Sequence, residues 1–108
     1  NSIGRSGFAL NITANTRDER LGVELWMPGP QAKQHFANLS SQKPAIESAL
    51  GFPLDWQELP DAQACRIATW YPGASIEDES RWDEYLAWLI QRLVKMDQVL
   101  RPVVKGLP

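Results

Sequence analysis

The sequence predicts an α+β domain of order ββαββα, with two helices packed on one face of a four-stranded antiparallel sheet. Three observations predict it: two pairs of extended segments, a Pro-Gly dipeptide after each pair, and a long amphipathic helix near the C-terminus. Packing both helices on the apolar side of the sheet buries every apolar stripe. The other face of the sheet is left open.

The first two strands form a hairpin within residues 8–27, because side chains alternate between the two faces of a strand. Charged residues 17–20 form an exposed connection between them. In the first strand the apolar side carries Phe8, Leu10, Ile12 and Ala14, and the polar side carries Asn11, Thr13 and Asn15. In the second strand the apolar side carries Leu21, Val23, Leu25 and Met27, and the other side carries Gly22, Glu24 and Trp26.

A helical segment follows the first Pro-Gly dipeptide, with Pro30 suited to be its first residue and Gly51 suited to end it. Its apolar residues recur at helical spacing: Ala32, Phe36, Leu39, Ile46 and Leu50. Pro44 interrupts this pattern. Either the helix kinks there, or Ser40 or Ser41 caps a second short helix whose first turn tolerates the proline.

Residues 54–59 and 64–71 predict the third and fourth strands. Leu54, Trp56, Cys65 and Ile67 are expected to face inward. Outward-facing positions hold Asp55, Gln57, Arg66, Ala68 and Trp70. The motif Trp-x-Pro-Gly ends both hairpins, at residues 26–29 and 70–73, which hints at a duplicated strand-strand-helix unit.

The last helix is the clearest element, because its apolar residues recur at alternating spacings of four and three. Acidic residues 77–79 lie at its start and basic residues gather near its end, which complements the helix dipole. Pro102 is expected to end or kink it. This spacing favours a core helix over an intermolecular coiled-coil seam. The stripe consists of Trp82, Leu86, Leu89, Leu93, Met96, Leu100 and Val103.

Length and composition fit one globular domain over residues 1–108, with 44% hydrophobic and 22% charged residues. The formal net charge of −2 gives no global reason to expect binding to nucleic acid or to an anionic membrane. No apolar run is long enough to span a bilayer, and the single cysteine agrees with a cytoplasmic location. The chain begins with Asn1, which indicates a piece of a longer polypeptide.

Candidates for catalysis within these residues are weak. His35 has no second histidine or cysteine near it in sequence, so a structural or solvent-facing role is favoured over metal binding. Cys65 shares the core face with Ile67 and behaves as a small hydrophobe. Gly4 and Gly7 match neither a P-loop nor a dinucleotide fingerprint. We therefore predict no catalytic residue, no metal and no cofactor.

The predicted open face supplies the candidate binding residues. They are Trp26, Trp70, Arg66, Asn11, Asn15 and Glu24. Exposed aromatic side chains are favoured anchors in protein interfaces, and they also stack on nucleic-acid bases. Arg5, Arg17 and Arg20 form the densest basic group outside the last helix, and arginine binds phosphate.

Several motifs occur together in order. They are Ser-Ile-Gly-Arg-Ser-Gly-Phe at residues 2–8, Asn-Thr-Arg-Asp at 15–18, Gly-Val-Glu-Leu at 22–25, Ala-Lys at 32–33, Leu-Asp-Trp-Gln-Glu-Leu-Pro at 54–60, Arg-Ile-Ala at 66–68 and Arg-Pro at 101–102. With them the chain resembles, over nearly its whole length, a bacterial and archaeal family of domains of unknown function. The resemblance implies a C-terminal domain of longer proteins, many of which carry an upstream nuclease-like domain of the restriction-endonuclease superfamily. It transfers no catalytic residue.

That resemblance makes one metal site worth weighing. Asp18 and Glu24 loosely mimic a nuclease metal site, but the superfamily typically places a lysine two residues after the glutamate, and position 26 is tryptophan. A degenerate nuclease core is therefore the least favoured alternative. The acidic residues 77–79 are expected to be a solvated helix start. The sequence predicts a non-catalytic accessory domain that contacts the upstream nuclease-like domain or another protein. The alternative is a DNA-binding or DNA-positioning module, and the oligomeric state stays open.

Overall fold

The computed structural model describes residues 8–17, 19–59 and 64–107, and within them the predicted α+β architecture is confirmed. The strands are β1 (Ala9–Asn15), β2 (Arg20–Pro28), β3 (Asp55–Gln57) and β4 (Ala64–Pro72). The helices are α1 (Ala32–Ser40), α2 (Lys43–Leu50) and α3 (Trp82–Lys105), with a 3₁₀ turn at Glu79–Arg81. The strands form one antiparallel sheet in the order β1-β2-β4-β3.

The two longest strands, β2 and β4, pair at the centre of the sheet, and their apolar sides meet the helices. Leu25 lies opposite Ile67, and Met27 lies opposite Cys65. Helix α3 packs against β1, β2 and α2, whereas α1 packs against β2 and β4. The side chains with almost no exposure at the centre of this core include Val23, Leu25, Met27, Leu39, Ile67, Met96 and Leu100.

The two Trp-x-Pro-Gly motifs occupy corresponding places at opposite ends of the central strand pair. Trp26 lies opposite Arg66, and Trp70 lies opposite Gly22, so the pairing is symmetric about Glu24 and Ala68. Gly29 and Gly73 both adopt positive φ angles, of 102° and 72°, which glycine tolerates far better than other residues do. Both central strands therefore end in a proline and a left-handed glycine.

The segment after β2 forms two helices, and this selects one of the two alternatives at Pro44. Helix α1 begins at Ala32, two residues later than Pro30, which was expected to open it. Pro44 lies in the first turn of α2, where its missing N–H removes no helical hydrogen bond. The expected cap at Ser40 or Ser41 is wrong, because Ser40 ends α1 and Gln42 immediately precedes α2.

Three other expectations differ from the structure. The third strand is shorter than residues 54–59, since only three residues pair with β4. Ile12 and Ala14 are exposed, because β1 is an edge strand and its far end extends past the packed core. Trp82 and Leu86 are exposed, because the buried side of α3 is centred on Tyr85, Leu89, Met96 and Leu100.

Pro102 does not end α3, which continues to Lys105. A proline this close to the C-terminus of a helix costs about one hydrogen bond, and burial of Val104 in the next positions offsets it. None of the helices in the described ranges is long and apolar enough to cross a membrane.

Candidate functional site on the open sheet face

The face of the sheet opposite the helices brings together the predicted outward side chains of all four strands. The pairing register forms four cross-strand rows on this face, and in the last of them Asn15 lies opposite Arg20. The second row contains Asn11, Glu24, Ala68 and Asp55. The row on one side of it contains Trp26, Arg66 and Gln57, and the row on the other side contains Thr13, Gly22 and Trp70. Asn15 follows at the end of β1. We call this surface the open face.

Glu24 and Arg66 form an ion pair at the centre of the open face. Glu24 Oε2 and Arg66 Nε are 2.8 Å apart. The N–H does not point at the oxygen, so the contact is an ion pair and not a well-formed hydrogen bond. Glu24 is only 8% exposed although it lies on the open face. Its carboxylate is therefore held by a cation and shielded from water.

Trp70 lies flat across the open face. A Cβ built on Gly22 would come within 2.4 Å of two carbons of the indole ring, so the ring rests directly on the backbone of β2. At the other end of the ring, the indole Nε1 donates a hydrogen bond of 2.9 Å to Asp55 Oδ2 on β3. The guanidinium carbon of Arg20 lies 3.8 Å from the ring centroid. Trp70 is thus fixed by contacts to three residues.

Trp26 has a different environment from Trp70. It is half-buried and lies in the row with Arg66, four residues along β2 from the row that holds Trp70. Four residues of a strand span about 13 Å. The hairpins therefore place the two tryptophans on one face without bringing them into contact.

A concavity of about 450 Å³ opens between the end of the β1-β2 hairpin and Trp70. Among the described residues its lining includes three arginines, Arg17, Arg20 and Arg66, and one carboxylate, that of Glu24. The hydroxyl oxygen of Thr13, also in the lining, is buried and makes no hydrogen bond to any described residue. In the part of the chain that the structure describes, the concavity therefore brings three guanidinium groups and one carboxylate together beside the ring of Trp70.

Of the predicted basic group Arg5, Arg17 and Arg20, the structure describes Arg17 and Arg20. Arg17 and Arg20 lie on the same concavity as Arg66, an association that spacing in the sequence did not indicate. Arg5, Gly4 and Gly7 fall outside the described residues, and so does Asp18. Arg66 was assigned to the open face from strand alternation alone, whereas its ion pair with Glu24 depends on the register between β2 and β4.

Lys33, which appeared only as part of a motif, has a structural role. Its ammonium Nζ donates hydrogen bonds to the backbone carbonyl oxygens of Glu58, Leu59 and Ala64. The distances to Leu59 and Ala64 are 2.6 and 3.0 Å. Lys33 therefore links α1 to both sides of the connection between β3 and β4. In the sequence, only the Ala-Lys motif at the start of the helical segment pointed to this lysine.

Glu47 is a second polar residue whose role sequence reasoning missed. Its Oε2 accepts hydrogen bonds from the backbone N–H of Leu54, at 2.8 Å, and from the indole Nε1 of Trp56, at 3.1 Å. These two donors, with a smaller contribution from the charge of Lys43, lower the pKa of the Glu47 carboxyl below its ordinary value of 4.5. The carboxylate joins α2 to the start of β3.

His35 and Cys65, the two weak candidates for catalysis, are both buried. His35 is buried on α1, with its ring 5.2 Å from that of Phe8 in an edge-on arrangement. Cys65 is fully buried, and its Sγ lies 3.2 Å from the carbonyl oxygen of Glu58. Burial raises the pKa of its thiol, and the nearby charge of Lys33 opposes this shift. Both side chains lie on the helix side of the sheet, away from the open face.

The acidic residues 77–79 lie just before α3, and the last of them begins the 3₁₀ turn. Asp78 Oδ1 accepts a hydrogen bond of 3.2 Å from the backbone N–H of Ser80, which is the usual role of an aspartate before a helical turn. Across the described ranges, no group of three or more histidine, cysteine, aspartate or glutamate side chains is arranged to hold a metal ion.

The fold and this surface define a small α+β domain whose helices cover one face of an antiparallel sheet and whose other face displays charged and aromatic side chains. The chain belongs to the family described as "Domain of unknown function (DUF4268)", whose model matches residues 1–104. No match was found among the curated proteins or among the solved structures.

Proposed function

We propose that this domain is a non-catalytic binding module that uses its open face to hold another protein. The observation that supports this function is the contrast between the two faces of the sheet. All three helices pack on one face, while the described residues leave the half-buried Trp26 and the arginine-lined concavity uncovered on the other. Aromatic and arginine side chains are the residues most enriched at the centres of protein interfaces.

The geometry of Glu24 favours binding over catalysis. Metal-dependent hydrolysis needs carboxylate oxygens directed at a divalent ion. Here the Glu24 carboxylate is 2.8 Å from the Arg66 guanidinium, whose positive charge opposes a cation at the same place. Trp26 occupies the position that holds lysine in the nuclease motif. A degenerate nuclease core is therefore the least favoured function.

The partner we propose is the nuclease-like domain upstream in a longer polypeptide, and the resemblance described above supports this choice. On this proposal the module is the accessory domain of a cytoplasmic bacterial nuclease-like protein. The exposed Arg17 at the rim of the concavity suits a partner surface with exposed carboxylates. The contact would position the upstream domain without contributing a reacting group to it.

Capture of the separately expressed upstream domain by the immobilised module tests this function. Trp26→Ala combined with Arg17→Gln should reduce capture strongly, because Trp26 belongs to the open face and Arg17 lines the concavity beside it. Gln34→Ala combined with Lys105→Gln is the matched control, since both residues are exposed on helices. Equal capture by the two double variants would contradict the proposed surface.

A DNA-positioning module is the second candidate, and one observation favours it. Arg17, Arg20 and Arg66 surround one concavity, where they would meet a phosphate backbone together. Fluorescence anisotropy with labelled single- and double-stranded DNA tests it, because phosphate contacts weaken steeply as salt rises. Binding at low salt that is lost in Arg17→Gln/Arg20→Gln but kept in Lys43→Gln/Lys105→Gln would support this candidate. Absence of binding at low salt would exclude it.

A further inference from the structure

The edge of β4 that faces β3 is only partly paired. Strand β3 pairs with three residues of β4, and the pair at one end joins Asp55 to Ala68. Beyond this pair β4 continues to Pro72, still paired with β2 on its other side. No described strand pairs with residues 69–71 on the β3 side, and no other backbone hydrogen bond between described residues uses them. We call residues 69–71 the free edge.

The free edge is unpaired because the chain turns away from it just before β3. Leu54 would lie opposite Thr69 if β3 continued, but its backbone N–H donates a hydrogen bond of 2.8 Å to Glu47 Oε2 on α2. Pro53 has no N–H to donate to a neighbouring strand. Successive strand residues direct their N–H and C=O groups to alternate sides, so the free edge offers backbone groups to a further strand.

A slot of about 310 Å³ lies beside the free edge. Its lining includes Phe52 and Leu54 on one side, Thr69 and Trp70 of β4 on the other, and Arg92 of α3. The slot therefore lies between the edge of a strand and the side of a helix. Such an opening suits an extended chain, which pairs its backbone with the strand and directs alternate side chains toward the helix.

Arg92 is a cation of the slot that pairs with no described carboxylate. Its guanidinium carbon lies 3.7 Å from the centroid of the Phe52 ring. Burial lowers the pKa of this guanidinium below its ordinary value, since part of the group is withdrawn from water. Asp55 also lines the slot, but its Oδ2 accepts hydrogen bonds from Trp70 and Gln57. An entering carboxylate would supply the partner that Arg92 lacks.

The register of the sheet determines which side chain of an added strand would meet Arg92. A strand that continues the line of β3 runs antiparallel to β4, and its residue opposite Thr69 points to the same side of the sheet as Thr69. This is the helix side, because Thr69 and Tyr71 alternate with Trp70 of the open face. The residue opposite Tyr71 comes two positions earlier and points to the same side, where the Tyr71 ring packs 5.4 Å from that of Trp88.

We propose that the free edge binds an extended peptide segment as an added antiparallel strand, with an acidic side chain opposite Thr69 that pairs with Arg92. An apolar side chain two residues earlier packs beside Tyr71. Backbone pairing supplies affinity for many sequences, whereas these two side chains supply specificity. The site borders the open face at Trp70 but uses the backbone of β4 and the helix side of the sheet. The proposal therefore does not rest on the function proposed above.

Two capped heptapeptides test the site by amide shift mapping of the chain. One has the sequence Thr-Lys-Thr-Ile-Thr-Glu-Thr, and the other has glutamine in place of glutamate. The glutamate peptide should shift the amides of the free edge and the side-chain Nε–H of Arg92. It should bind at least about tenfold more tightly than the glutamine peptide, because a charged hydrogen bond is stronger than a neutral one. Equal binding, or no shifts at millimolar peptide, would overturn the proposal.

A substitution of Arg92 identifies the partner of the acidic side chain. Arg92→Gln should remove the preference for the glutamate peptide. Lys95→Gln is the control and should keep it, since Lys95 is an exposed cation of the same helix that does not line the slot. Circular dichroism checks that both variants fold, and the comparison of the two peptides on the unaltered chain requires no variant. A preference that survives Arg92→Gln would show that the assignment is wrong.

Peptides methylated on backbone nitrogen test the strand pairing, because the methyl group removes the N–H donor. Alternate residues of the glutamate peptide are methylated, in one set or in the other. Only one of the two sets directs its N–H groups toward β4. Methylation of that set should abolish binding, while methylation of the other set should preserve most of it. Equal effects of the two sets would exclude an added strand.

Discussion

The indole of Trp70 lies so close to Gly22 that a Cβ at position 22 would come within 2.4 Å of its ring carbons. Gly22 lies within the regular pairing of β1, β2 and β4 and does not have a positive φ angle. Glycine is therefore required here because the indole ring leaves no room for a Cβ, and not because of the backbone conformation. Together with the hydrogen bond to Asp55, this contact sets the position of Trp70 and the shape of the concavity.

Gly22→Ala should displace Trp70 and destabilise the fold by about 1–3 kcal/mol, because the added methyl overfills a tightly packed contact. Urea unfolding followed by tryptophan fluorescence measures the loss, and the indole N–H resonance of Trp70 reports the displacement. Gly106→Ala is the control, since a Cβ there meets its nearest neighbours at ordinary distances of 3.5 and 3.6 Å. Equal stability of the two variants would show that Trp70 moves freely away from position 22.

Arg66→Met should destabilise the domain by about 1–3 kcal/mol, since it leaves the mostly buried Glu24 carboxylate without its cation. Combining it with Glu24→Gln should cost less than the sum of the two single changes, because the double variant has no unpaired charge. Thermal or urea unfolding of the four proteins measures the coupling. For comparison, Asp97→Asn removes the exposed pair with Arg101 and should cost less than Arg66→Met, because solvent screens that pair. Additive losses for Glu24 and Arg66 would mean that the ion pair contributes nothing.

Glu47 should make stability depend on pH in the acid range. Hydrogen bonds from Leu54 and Trp56 lower the pKa of its carboxyl below 4.5 in the folded state. Its stabilising contribution is therefore complete above the unfolded pKa and is lost as pH falls through the lower folded pKa. Urea midpoints measured from neutral pH down to acid should fall less steeply for Glu47→Gln. Trp56→Phe removes one of the two donors and should give an intermediate curve. Identical slopes in all three proteins would refute this role.

Cys65 should react slowly in the folded domain. Burial raises the pKa of its thiol, and the side chain is fully enclosed, so the thiolate that attacks alkylating reagents is scarce and inaccessible. Labelling with iodoacetamide at mildly alkaline pH should be slow without urea and fast in denaturing urea. Rapid labelling of the native protein would mean that the core opens readily around β4.

Much of the fold could be predicted because the strongest signals were local. Alternation within β2 and β4 is a property of consecutive residues, and it correctly assigned Glu24, Trp26, Arg66 and Trp70 to one face. The positions of Pro28 and Pro72 at the strand ends were equally local. These signals depend only on how a strand presents its side chains.

What could not be predicted depends on contacts between distant segments. The sequence of α3 contains two overlapping apolar rows, and periodicity does not reveal which of them faces the sheet. The structure buries Tyr85 and exposes Leu86, which rotates the buried side away from the predicted stripe. In the candidate site, the contact of Gly22 with Trp70 and the meeting of Arg17, Arg20 and Arg66 arise from strand register and chain closure.

Amide shift mapping tests most directly whether the open face binds the proposed upstream domain. The isotopically labelled chain is titrated with the separately expressed upstream domain. The account predicts shifts concentrated on the open-face residues of β2 and β4 and around Arg17, with the helix side unaffected, and loss of these shifts in Trp26→Ala/Arg17→Gln. No shifts, or shifts confined to the helices while the open face stays unchanged, would contradict the account.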